Sequence, residues 1–152
     1  EKIYIWEGIP SKSDEPIFTL VNPVGVGRLD MNKEWLVVAA YPGDQASVHV
    51  IKLSELSSGQ LLPIENYRSF PQGVSINEKG LFIALQGDNK VIGWTSVDEA
   101  LSGKKPSMSF GGNDDKSNLG TKMASAVGWD GVHLWVGEFK FSNRLLGFKP
   151  SK

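Results

Sequence analysis

The chain has 152 residues, 16 basic and 17 acidic side chains for a net charge of -1, and an apolar fraction of 40%. Such a chain fits one ordinary globular domain rather than a disordered segment, and its near-neutral balance argues against a nucleic-acid binder, which needs a basic face. The absence of Cys excludes disulfide scaffolds, thiol nucleophiles and thiolate zinc sites, and two His, His49 and His133, are too few for a His-rich metal centre.

No run approaches the roughly 18 to 20 apolar residues that cross a bilayer. The longest, Trp35 to Tyr41, has the length of a strand. Residues 1–6 have neither a basic start nor an apolar stretch of signal-peptide length, so the chain is expected to be mature, trimmed or a piece of something longer.

In chain order, Lys2-Ile3-Tyr4-Ile5-Trp6 opens as a strand, short and rich in β-branched and aromatic residues. Turn residues 7–14 lead to a weaker strand, Pro16–Leu20. Strands are then predicted at Gly27–Met31, Trp35–Ala39 and Ser47–Ile51. The run from Lys52 to Gly59 reads as a one-turn helix with an N-cap and a Gly stop, followed by a strand at Gln60–Ile64. The same order returns: Gly73–Asn77, a turn through Gly80, Leu81–Leu85, Lys90–Trp94, a helical turn from Ser96 to Gly103, and Pro106–Phe110. It begins a third time with Ala126–Asp130, a turn at Gly131, His133–Gly137 and Arg144–Phe148.

The strands ending at Trp6, Ile51, Trp94 and Phe148 recur at spacings of 45, 43 and 54 residues. Blade periods of β-propellers run from about 40 to about 50 residues. The expected fold is therefore all-β, a propeller of four-stranded antiparallel blades present as a partial ring of about three. Residues 1–24 would end one blade, 25–66 and 67–112 would form two more, and 113–152 an incomplete one. An antiparallel sandwich also has many short strands, but has no reason to repeat its strand-to-strand link. The repeat predicts that Leu36, Phe82 and Leu134 occupy equivalent positions. A partial ring leaves strand edges bare, so a second copy or a further chain segment is expected to complete it.

Phe70-Pro71-Gln72-Gly73-Val74, Gly80-Leu81-Phe82-Ile83-Ala84 and Ser142-Asn143-Arg144-Leu145-Leu146 resemble three successive elements of the NHL-type propeller repeat. Ile5-Trp6-Glu7-Gly8-Ile9-Pro10 resembles the strand endings of bacterial NHL-like secreted proteins, which implies an extracellular or periplasmic location. The family's Asp after the second strand is Gln86 in one unit and Glu138 in another. The resemblance also implies that ligands meet the loops between blades and between second and third strands.

Those loops hold Tyr67, Arg68, Gln86, Lys122 and Glu138, the predicted partner-binding residues. Tyr67 and Arg68 form an aromatic–cation pair of the kind enriched in binding hot spots. The mixed charges point to a protein or a small polar ligand. Asn113-Asp114-Asp115 on a Gly-rich loop offers oxygens of the type Ca²⁺ takes, but the pattern is equally that of a solvated turn. No nucleophile elbow, phosphate loop or zinc-protease motif occurs, so no catalytic or metal-binding residue is assigned. A non-catalytic binding module is expected. The alternative is a propeller-type hydrolase, lactonase or lyase with an axial metal ion.

Overall fold

The computed structural model describes residues 2–21, 27–40, 47–65, 67, 69–112, 120–140 and 142–149. Its strands make four antiparallel sheets. In the first, β1 (Lys2–Ile5) pairs with β2 (Phe18–Val21). The second is a meander of β3 (Arg28–Met31), β4 (Trp35–Ala40), β5 (Ser47–Lys52) and β6 (Leu62–Ile64). The third repeats it with β7 (Pro71–Asn77), β8 (Gly80–Leu85), β9 (Lys90–Trp94) and β10 (Met108–Gly111). The fourth has β11 (Ala124–Trp129), β12 (Leu134–Glu138) and β13 (Leu145–Phe148). The chain is thus all-β, and these strands do not close into a barrel or ring among the described residues.

The sheets stack face to face in chain order, with β7 lying between β3 and β11. Alternation along each strand feeds two cores. In β4, Trp35, Val37 and Ala39 enter the core shared with the third sheet, whereas Leu36 and Val38 enter the one shared with the first. In β8, Leu81, Ile83 and Leu85 face back to the second sheet, and Phe82 and Ala84 face forward to the fourth. Both middle sheets are therefore covered on both faces, which a two-sheet sandwich does not do. That is why β4 and β8 are buried at every position and read as continuous apolar runs.

The expected equivalence of Leu36, Phe82 and Leu134 is corrected by this alternation. Leu36 and Leu134 face backward, but Phe82 faces forward; the true equivalent of Leu36 is Leu81. A slip of one residue moves a side chain to the opposite face.

The turns repeat in atomic detail. Between first and second strands, Asn32 Oδ1 accepts from the amides of Glu34 and Trp35, each at 2.8 Å. Asn77 Oδ1 accepts from Lys79 N at 2.7 Å, and Asp130 Oδ1 from Val132 N and His133 N, both at 2.7 Å. A short side-chain acceptor that closes its own turn explains Asn or Asp at all three positions. Between third and fourth strands, Trp6 Nε1 donates to Asp14 O at 3.1 Å, and its equivalent Trp94 donates to Lys104 O at 2.7 Å.

The two short helices differ from each other. Helix α1 (Val97–Leu101) has the expected cap: Ser96 Oγ accepts from Glu99 N at 3.2 Å, and Glu99 reaches back to Thr95 N at the same distance. The turn Leu53–Ser58 is instead a 3-10 helix without a side-chain cap, because the residue before it is Lys52. Only its Gly stop holds, with Gly59 at φ 64°.

Candidate functional site

The loop end of the stack gathers the starts of β7 and β11 and the turns after β8 and β12. Each of these first strands begins with the same device. Phe70 and Met123 stand just before β7 and β11 in left-handed backbone, at φ 47° and 49°. One extra residue then bulges out of each strand, shifting the register between Pro71 and Gly73 and between Ala124 and Ala126. Asn89 and Asn143, in the turns after β8 and β12, share φ values of 51° and 48°. Non-glycine residues in this conformation cost of order 1–3 kcal/mol each and persist only where the surroundings hold them, as hydrogen bonds do at Phe70, Asn89 and Met123.

Those bonds form a band across the third and fourth sheets. Gln86 N donates to Phe70 O at 2.9 Å, and Ser69 Oγ to Asp88 Oδ1 at 2.7 Å. Asn89 accepts at its carbonyl from Gly112 N and the Thr121 hydroxyl, and at its side chain from Met123 N. Gln86 Nε2 donates to Ser125 Oγ at 2.7 Å, a side-chain bond from the third sheet to the fourth. Gln86 thus ties the third sheet to the fourth.

Glu138 sits at the end of this band, and its carboxylate side chain has no exposed surface. Oε1 accepts from Lys122 N at 2.6 Å and from Arg144 Nη2 at 3.0 Å; Oε2 accepts from Arg144 Nε at 2.7 Å and from the Ser142 hydroxyl. Burial pushes the Glu138 carboxyl up, but the bonds from Arg144, Ser142 and Lys122 outweigh it and hold the group below its ordinary value. The same carboxylate raises the Arg144 guanidinium. Glu138 is a latch for the loops that flank β11 and β12.

The predicted site residues therefore separate into three. Gln86, Lys122 and Glu138 are brought together, with the backbone of Lys122 inside the network and its side chain exposed. Tyr67 packs edge-on against Trp94, ring centroids 5.0 Å apart, and burial raises its phenol. It belongs to the core between the second and third sheets, not to an exposed pair. Arg68 and Asn113–Asp115 lie outside the described residues. Two exposed aromatics share the loop end, Phe70 and Phe139, the latter with Lys140 Nζ 5.4 Å from its ring centre. Among the described residues no group of three or more His, Asp or Glu is placed to hold a metal ion, and no helix is long and apolar enough to cross a membrane.

The opposite end carries a polar cleft of about 180 Å³ that the sequence did not flag, lined by Asn32, Glu34, Asn77, Ser96 and Asp98 among others. Asn77 Nδ2 is buried beside it without a hydrogen-bond partner among the described residues. Asp130, on the same end, has its carboxyl held well below the usual range by the His133 amide, the Trp135 indole and the Val132 amide. A carboxylate with a depressed folded value stabilises the fold above its unfolded value near 4 and loses that contribution as pH falls towards the folded value. Asp130→Asn should accordingly lower the melting temperature at pH 7 and flatten its fall below pH 4, because the amide keeps the bonds to the Val132 and His133 amides but turns an NH2 towards the Trp135 indole. An unchanged acid profile in that variant would show that the turn carries no proton linkage.

Comparison with protein-family models and with curated proteins finds no match to this chain.

Proposed function

We propose that the chain is part of an NHL-like propeller that acts as a non-catalytic binding module, recognising a protein or a small polar ligand through its loop end. The observation that carries this reading is the repeated construction of that end. A left-handed residue and a bulge recur at the starts of β7 and β11, and a side-chain bond from Gln86 to Ser125 ties the third sheet to the fourth, giving a fixed platform. The acid best placed for chemistry, Glu138, is spent on the latch, whereas Lys122, Phe70 and Phe139 stand exposed beside it. Exposed aromatic rings with a lysine at hand, as Lys140 is to Phe139, suit a polar partner of modest charge. The likeness to secreted NHL-like proteins favours an extracellular or periplasmic setting.

The test uses a species captured by the immobilised chain. Phe139→Ala with Lys122→Ala should weaken its binding at least tenfold. Lys33→Ala with Lys79→Ala, at the opposite end, should leave binding intact. The reverse pattern rejects the loop end as the binding surface. The salt dependence should be mild, since a neutral chain exerts little long-range steering.

A further inference from the structure

The polar cleft at the end opposite the loops lies in the seam between the second and third sheets. It is walled by the turn between β3 and β4, by the end of β7 and the start of β8, and by the link from β9 into α1. Its openness has a local cause. Ile76 pairs with Leu81 as Trp129 pairs with Leu134, so the two residues hold the same place in successive sheets. The Trp129 indole crosses the next seam and donates to Glu78 Oε1 at 3.0 Å. Ile76 has neither the length nor the donor to cross its own seam, and the cleft remains beside it.

The depth and the rim of the cleft differ in chemistry. Asn32, Asn77 and Ser96 are half-buried in it, and their oxygens are already engaged. Asn32 Oδ1 takes the amides of Glu34 and Trp35, Asn77 Oδ1 that of Lys79, and Ser96 Oγ that of Glu99. What these side chains hold in reserve is chiefly donors, two amide NH2 groups and a hydroxyl proton. The need is sharpest at Asn77, whose Nδ2 is buried without a partner among the described residues. A buried donor left unmade is costly, so an oxygen presented to it is favoured. Glu34 and Asp98 form an exposed rim. Among the described residues neither carboxylate is engaged in a hydrogen bond or an ion pair. The adjoining surface adds Lys33 and Glu78, whose charges cancel. The cleft therefore presents two negative charges over a bed of donors.

We propose that this cleft is a second binding site, separate from the loop end, and that its ligand is a small polyhydroxylated primary amine of the amino-sugar type. The ammonium group is held by Glu34 and Asp98, and a hydroxyl oxygen on the same molecule accepts from Asn77 Nδ2. Ile76 and Val97 give the walls an apolar share for the C–H faces of a ring. A bare metal ion fits poorly: two carboxylates fall short of the about six to eight oxygens that Ca²⁺ takes, and N–H groups beneath them repel a cation. An amino sugar separates the two demands, with its charge at the rim and its oxygens below. At about 180 Å³ the cleft is smaller than the roughly 300 Å³ at which drug-sized pockets begin, which suits a single ring.

The test is a titration of the whole chain with glucosamine, and separately with glucose, followed in proton–nitrogen NMR spectra. Glucosamine should shift the side-chain NH2 signals of Asn77 and Asn32 saturably and bind at least tenfold more tightly than glucose. Glu34→Gln with Asp98→Asn alters exposed side chains and should weaken glucosamine binding at least fivefold, with the other amide signals in place. The absence of a saturable shift at these amides, equal binding of glucose, or undiminished binding by the double variant each overturns the proposal. The comparison of the two sugars uses the unaltered chain, so it decides the matter even where the double variant folds poorly.

Discussion

Replacing Trp94 with alanine is expected to be among the most destabilising single truncations in this chain. Its side chain is 2% exposed, fills the core between the second and third sheets, receives the edge of the Tyr67 ring and donates its indole N–H to Lys104 O at 2.7 Å. Truncation removes the buried ring, leaves a cavity that flanking strands cannot close, and strips Lys104 O of its donor. Buried Phe and Trp truncations of this kind cost about 3–5 kcal/mol. In a chain of this size that corresponds to a fall in melting temperature of roughly 8–16 °C. The internal comparison is Trp6, which makes the equivalent bond to Asp14 O from a half-exposed position. Trp6→Ala should cost clearly less, and equal losses in thermal melts would mean that burial is not the source of the effect.

Gly80→Ala is expected to rival it, for a different reason. Gly80 opens β8 at φ 133°, and a Cβ there would lie 1.9 Å from the carbonyl oxygen of Trp94 and 3.1 Å from Thr95 Cα. The obstacle is the backbone of the paired strand, which cannot step aside as a flexible side chain would. Backbone strain of about 1–3 kcal/mol adds to an overpacking cost of similar size. Gly131 occupies the corresponding turn before β12 at φ 97° with open space around it. Gly131→Ala should therefore show the backbone penalty alone. A denaturant midpoint for Gly80→Ala no lower than for Gly131→Ala would mean that the hairpin opens without cost.

The strand pattern was legible because each strand is a short β-branched or aromatic run closed by Gly, Asn or Asp. The number and order of strands follow from those boundaries. The facing of β8 was not, because Leu81-Phe82-Ile83-Ala84-Leu85 is apolar on both faces and carries no alternation from which to choose between Leu81 and Phe82. The turn acceptors Asn32, Asn77 and Asp130 hold the register that the apolar run conceals. Position after the second strand was enough to place Gln86 and Glu138 at the loop end, where their side chains bond to Ser125 and to Arg144. Tyr67 misled because its neighbours Glu65, Asn66 and Arg68 are polar, while the contact that decides its place is with Trp94, far along the chain. Phe70 and Met123 gave no signal of left-handed backbone, since neither is the Gly, Asn or Asp that usually announces it.

The face-to-face stacking of the sheets also governs how the molecule comes apart. Each sheet is buried only by the sheets before and after it, so stability accumulates from neighbour to neighbour, as in a linear array, rather than from a common centre. Among the described residues the second and third sheets have two neighbours, and the first and fourth have one. Loosening is therefore cheap at the ends and costly in the middle, and local opening precedes global unfolding. Damage at β13 shortens the array by one member, whereas damage at β8 divides it in two.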